Sequence, residues 1–221
     1  MPHVTPTIEG LHIVLIGSFN PQIFQPAWFS SENLIRKEEA DSAKIDLVHP
    51  QVTSFSLEWL ELRASPDRFS VTSSSDHRFQ PELARDLTLG TFRLLRHTPL
   101  RMLGLNRYYH FPMSSEEAWH KVGHRLAPKE PWKGLLERPG MRSLTMEGTR
   151  TDGLRGRVHV MVEPSIHVTH GLFVLVNDHY EVEKTEQPEG ASELMDTLEK
   201  VWKESLEKSR NIAYSLAELG E

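Results

Sequence analysis

Apolar positions along the chain recur with two periods, and the changes of period divide it into elements. Leu11-His12-Ile13-Val14-Leu15-Ile16 is short, rich in β-branched residues and stopped by Gly17, which predicts a buried strand. Asn20-Pro21 follows as an N-cap with proline at the first helical position. It opens a short helix through Phe24, Trp28 and Leu34, interrupted near Pro26. The charged residues 36–41 read as a loop, and 45–49 and 52–62 read as extended. In the latter, Phe55, Leu57 and Trp59 alternate before Leu60 and Leu62 take the opposite phase, the mark of a β-bulge. Residues 68–72 form a further strand with Phe69 and Val71 inward. Gln80-Pro81-Glu82 then opens a helix carrying Leu83, Leu87, Phe92 and Leu95 at helical spacing.

The pattern starts again at Pro99. Residues 100–111 predict a long strand with Leu103, Leu105, Tyr109 and Phe111 on one face. Ser114-Ser115-Glu116-Glu117 is a capping box for a helix ending near Leu126. Pro128, Pro131 and Pro139 mark a loop, and residues 143–150, 156–162 and 167–176 read as extended. Thr151-Asp152-Gly153 signals a hairpin between the first two. The final helix, 192–216, presents Leu194, Leu198, Val201, Leu206, Ile212 and Leu216 as one stripe. Its Glu199–Lys203 and Glu204–Lys208 pairs sit at i, i+4 on an outer face, and Trp202 beside the stripe extends the core or marks a contact with another chain.

Both stretches share the order strand, helix, two or three strands, long helix. The expectation is one α+β domain, 1–221, built of two pseudo-repeated halves, 11–97 and 98–216, of order β-α-β-β(-β)-α. Such halves make a curved antiparallel sheet with helices on a single face. That topology is similar to the TATA-binding-protein saddle and to helix-grip folds, a likeness of fold that carries no function.

Composition narrows the chemistry. Among 221 residues there is no cysteine, which removes disulfides, thiolate zinc sites and cysteine nucleophiles together. The start, 1–7, has no basic segment, the apolar run 11–17 is too short for a signal sequence, and no run reaches membrane-spanning length, so a cytoplasmic protein with no membrane partner is expected. A net charge of −6 disfavours non-specific attraction to nucleic acid. The charge is uneven, about +5 over 98–157 and about −8 over 158–221. Two surfaces that partly neutralise each other within one fold account for that split.

Several stretches together resemble a known family: 17–29 (GSFNPQIFQPAWF), 48–53 (VHPQVT), 97–106 (HTPLRMLGLN), 124–132 (HRLAPKEPW) and 177–180 (NDHY). The chain resembles a sporadically distributed prokaryotic family of about this length with no assigned biochemical activity. The likeness spans nearly the whole chain and implies a single unit. It implies no catalytic residues, and the patchy distribution is associated with accessory functions such as defence.

Five stretches are candidates for chemistry. His120 and His124, at i, i+4 on a helix, pair two imidazoles at metal-ligand spacing, with His110, His159 or Asp178 as a third ligand. Position 121 is Lys, so the metalloprotease glutamate is missing, and with twelve histidines chance pairs are common. Asn177-Asp178-His179-Tyr180 ends a predicted strand, where Asp178 would orient His179 as a base and Asn177 would bind; a strand-end turn capping backbone groups is the plainer account of the cluster. The 17–21 segment lacks the glycine spacing and lysine of a phosphate loop, and an N-cap suffices for it. Ser73-Ser74-Ser75-Asp76-His77 reads as a turn. Arg101, Arg107, Tyr108 and Tyr109 interleave basic and aromatic residues, with Arg107 and Tyr109 sharing a face that would stack bases and hold phosphates, joined by Arg155 and Arg157. Cross-strand packing is the plainer account.

The leading expectation is therefore a non-enzymatic binding or assembly module that engages a protein partner or itself and needs no cofactor. A metal-dependent hydrolase using zinc or another divalent metal at His120 and His124 is the first alternative, and nucleic-acid binding on a curved sheet the second.

Overall fold

A computed structural model describes residues 4–75, 79–184 and 190–221. The run of β-branched residues near the N-terminus forms β1 (Ile8–Gly17), the central strand of the molecule. On one side it pairs with β5 (Arg68–Ser74), and beyond β5 lie β4 (Glu61–Ala64), β3 (Val52–Ser56) and the edge strand β2 (Lys44–His49). On the other side it pairs with β6 (Leu100–Pro112), followed by β9 (Gly171–Glu181), β8 (Gly156–Pro164) and the edge strand β7 (Leu144–Thr149). All eight contacts between neighbours are antiparallel. The sheet is curved and unclosed, and the fold is α+β as expected. Strand order is mirrored about the β1–β6 contact, so each half of the chain forms one wing.

Alternation decides which side each residue faces. Leu11, Ile13 and Leu15 of β1 point the same way as Phe69 and Val71 of β5, Leu103 and Leu105 of β6, and Val174 and Val176 of β9. Every helix packs on that side. α1 (Pro26–Ser31) contributes Phe29; α3 (Pro81–Leu94) contributes Leu87 and Phe92; α5 (Ser192–Ala217) lays Leu194, Leu198 and Trp202 across the middle. α4 (Glu116–Leu126) brings Ala118 and Val122 to a second cluster under the other wing, with Phe111, Val162 and Leu172. α2 (Lys37–Asp41) is a single turn at the surface.

Several expectations change in detail. The phase shift within 52–62 is not a bulge: Leu57 N–H bonds to Leu60 O at 2.8 Å, closing a tight turn between β3 and β4. The bulge lies in β2, between Ile45 and Leu47. Pro26 starts α1 at its first position rather than interrupting a helix, because its missing N–H is one the helix would leave unpaired anyway. Ser115, not Ser114, caps α4, accepting from Ala118 N–H at 3.1 Å. The final strand begins at Gly171 and runs through Glu181, so Asn177–Tyr180 lie inside it and not in a turn. The 73–77 turn lies partly outside the described residues. Among the described residues no helix is long and apolar enough to cross a membrane.

The first wing is held by four phenylalanines from three separate segments, the stretch before α1, β5 and α3. Phe69 sits 5.0 Å from Phe24 and 4.9 Å from Phe92, ring centre to ring centre, and 6.2 Å from Phe19. Such offset and edge contacts add to the burial term. Phe69→Ala would leave a cavity at the meeting point of β5, α3 and the segment before α1. It should lower unfolding free energy by about 3–5 kcal/mol in urea titration, whereas Leu94→Ala at an exposed position should change it little.

Candidate functional site

The helix-covered face holds more charge than its apolar pattern suggests. Asp178 points into it, beneath α5, with its side chain 3 % exposed. One carboxylate oxygen is bonded to Arg150, which also holds Asp152, and the other accepts from the Tyr180 hydroxyl at 2.7 Å. The Arg150 guanidinium lies 3.9 Å from the Tyr180 ring centre. Burial, then the Asp178 charge, pushes the Tyr180 phenol above its ordinary range. Asp178 is thus committed to a buried structural network, and His179, its neighbour in an extended strand, points to the opposite face. The arrangement in which Asp178 orients His179 as a base does not form. His179 instead lies 3.4 Å from Glu181.

Arg107 and Tyr109 do share a face, but it is the covered one. Both are buried, with Arg107 Nη2 3.4 Å from Glu9 and its guanidinium over the Phe79 and Tyr109 rings. They form no surface for bases or phosphates. Arg101 is exposed at the start of β6, apart from them. Arg155 Nη1 donates to Glu183 O at 2.6 Å. Tyr108, the residue that alternation turned away, is the one on the uncovered face, its ring lying across Gly10, where a β-carbon would collide with it.

His120 and His124 stand side by side on α4, ring centres 6.3 Å apart. His120 Nε2 lies 3.6 Å from Glu116, one turn earlier, and His170 approaches the same carboxylate at 3.9 Å. The suggested third ligands are elsewhere: Asp178 is under α5, and His110 and His159 are on the uncovered sheet face. Among the described residues no group of three or more histidines or acids is placed to hold a metal ion. His110 makes a contact the sequence did not suggest, Nδ1 to Ser165 Oγ at 2.8 Å. Ser165 Oγ already accepts from the His167 and Val168 N–H groups, so its proton points to His110. The serine is the cap of a turn, and this pair is a structural lock.

The uncovered face carries a polar row. Register places Glu61, Thr72, His12, Asn106, Asn177 and His159 opposite one another in sequence across six neighbouring strands, and Glu147 of edge strand β7 ends the row. Asn177 donates to Asn106 Oδ1, and Asn106 Nδ2 donates to His12 O at 3.1 Å. At the β7 end, Glu147 accepts from both Arg157 and His159, whose hydrogen bonds hold its carboxyl below the usual range.

The first wing differs. His12, Ser54, Arg63, Arg68, Ser70 and Thr72 line one cavity of about 500 Å³, with Glu61 at its side. Neither Arg63 nor Arg68 has an ion-pair partner among the described residues. His12 is half-buried, and burial, then the Arg68 charge, lowers its pKa from 6.5 to about 4. The wing ends in β2, whose outer edge pairs with no strand among the described residues and whose Ile45, Leu47 and Val48 are 47–58 % exposed.

No family model matches the chain, and no curated protein matches it.

Unfolding returns His12 to its ordinary pKa, so between pH 6.5 and about 4 the unfolded chain takes up a proton that the folded chain refuses. Its effect on stability is absent above pH 6.5 and grows as pH falls through that window. Wild type should therefore lose about 2–3 kcal/mol more than His12→Asn between pH 7 and pH 4.5, measured by urea unfolding. Equal losses would show that His12 titrates normally in the folded protein. On the covered face, Asp178→Ala leaves Arg150 buried with only Asp152 and should cost about 3–5 kcal/mol.

Proposed function

We propose that the protein is a non-enzymatic assembly module that joins a second copy of itself by strand addition at the β2 edge. The observation that carries this reading is β2 itself. It is an outermost strand with a free row of backbone donors and acceptors, and it exposes Ile45, Leu47 and Val48. Such an edge is a template for pairing, which the β2 bulge and the charges of Lys44 and Asp46 blunt only in part. The other edge, β7, offers less apolar surface: Glu147 is engaged with Arg157 and His159, and Met146 is its one exposed large apolar residue.

Self-pairing is favoured by the sequence of β2. An antiparallel two-fold about Asp46 and Leu47 would bring Ile45 of each copy near Val48 of the other, an isologous contact with the β2 bulge at its centre. Among the described residues no third metal ligand stands beside His120 and His124, which leaves the hydrolase alternative without support there. Nucleic-acid binding loses its surface with the burial of Arg107 and Tyr109, and Arg157 on the uncovered face is neutralised by Glu147. Kinship with the sporadically distributed family that the chain resembles belongs to the same proposal, and an accessory or defence role would fit an assembly module.

Sedimentation velocity tests the reading. Wild type is expected to dimerise, and Ile45→Lys with Val48→Lys to weaken association by roughly tenfold or more while leaving the melting temperature near that of wild type. A wild-type protein that stays monomeric over the accessible concentration range overturns self-assembly. A dimer unaffected by the two lysines overturns the β2 edge as its interface.

A further inference from the structure

We infer that the cavity beside Arg63 and Arg68 on the uncovered face is a binding site for a small phosphate-bearing molecule. This site is separate from the β2 edge and does not depend on self-assembly. It is built by the consecutive strands β3, β4 and β5 together with the distant β1: β3 supplies Ser54, β4 supplies Arg63, β5 supplies Arg68, Ser70 and Thr72, and β1 supplies His12.

Charge points to an anion. On the second wing the cation of the uncovered face is already neutralised, Arg157 by Glu147, while His159 shares that carboxylate and His179 lies against Glu181. In the first wing Arg63 and Arg68 converge on one cavity with no ion-pair partner among the described residues. Glu61 also lines the cavity, and with His12 neutral near pH 7 the lining carries two positive charges against one negative. The surplus is local, because the chain as a whole has a net charge of −6.

The donor set selects phosphate over carboxylate. Two guanidinium forks, the Thr72 and Ser54 hydroxyls and the His12 ring offer more donors than one carboxylate can accept. A phosphate ester presents three terminal oxygens and nearly two charges, matching two arginines. The Ser65 hydroxyl is engaged with Asp67 at 2.8 Å, and Ser70 Oγ with Arg63 O at 3.2 Å, so these serines shape the wall and leave the remaining donors for a ligand. A cavity near 500 Å³ falls within the size range of small-molecule sites and exceeds what one inorganic phosphate fills.

His12 supplies an internal reporter. An anion held between the arginines would offset the Arg68 charge and favour the imidazolium, so ligand binding should raise the His12 pKa. Calorimetry and histidine NMR on the full chain at low salt, with inorganic phosphate, pyrophosphate and adenosine monophosphate as probes, test the site. Saturable binding of at least one probe is expected, with the His12 titration moving upward in its presence. Arg63→Ala with Arg68→Ala should weaken that binding at least tenfold, and Arg68→Lys should retain part of it; all these variants should melt near wild type, because both side chains are exposed. Tighter binding of adenosine monophosphate than of inorganic phosphate assigns an organic phosphate, and equal affinity assigns the free anion. No saturable binding of any probe, or binding unchanged in the double arginine variant, overturns the site.

Discussion

The antiparallel contact between β1 and β6 is the constraint on which the molecule rests. It joins the two wings along ten paired positions, Ile8 against His110 through Gly17 against Leu100, and shifts register only at its last pair. Because side chains alternate, this register assigns every residue of both strands to a face, and each further strand inherits the assignment from its neighbour. A slip of one residue in β6 would turn Leu103 and Leu105 outward and bring Gly104 and Asn106 beneath α5. No local adjustment could repair that, since α5 spans both wings, with Trp202 in the first cluster and Ala213 and Ala217 in the second.

Covering one face and leaving the other open sorts the polar groups by what they can tolerate. On the covered face Arg150 is held by Asp152 and Asp178, and Tyr180 satisfies the second oxygen of Asp178. A buried pair of this kind adds little net stability compared with an apolar core, but loses several kcal/mol when one member is removed. Its consequence is positional: it ties the β7–β8 turn, through Arg150 and Asp152, to the centre of β9. The uncovered face has the opposite economy. Asn177 bonds to Asn106, and Asn106 to the β1 backbone, leaving a face that is polar along one row and half-apolar on either side, around Val14, Tyr108 and Leu175.

Much of the architecture was legible because its signals are local. The strand 11–16, the long strand from 100, the hairpin signal at 151–153 and the stripe of α5 all follow from neighbours in sequence. What sequence could not supply was the pairing of distant strands. Alternation showed that Arg107 and Tyr109 share a face, but only the position of β6 between β1 and β9, under α5, makes that face the covered one. Asp178 and His179 were adjacent in sequence and so were taken together, yet an extended backbone separates adjacent side chains by the thickness of the sheet. The cavity at His12 was hidden for the same reason, since its lining comes from β1, β3, β4 and β5 and no two strands contribute a recognisable motif. The one sequence signal was His12 itself, an ionisable residue inside an otherwise apolar run.

The arginines draw the contrast between stability and function most sharply. Arg150 sits in the interior with two carboxylates, as a buried guanidinium must, because an unpaired charge there costs several kcal/mol. Arg107 is intermediate: it meets Glu9 and two rings, but its Nε has no hydrogen-bond partner among the described residues. Arg63 and Arg68 have no ion-pair partner among the described residues, at no comparable cost because both side chains are exposed. Fold stability therefore does not account for their convergence with His12. Exposed arginines on neighbouring β4 and β5 repel one another weakly, and pairing either with an acid, as Arg157 is paired with Glu147, would remove that repulsion. Among the described residues their lack of an acid is a small cost that the fold carries without return, unless something outside the chain brings the missing negative charge.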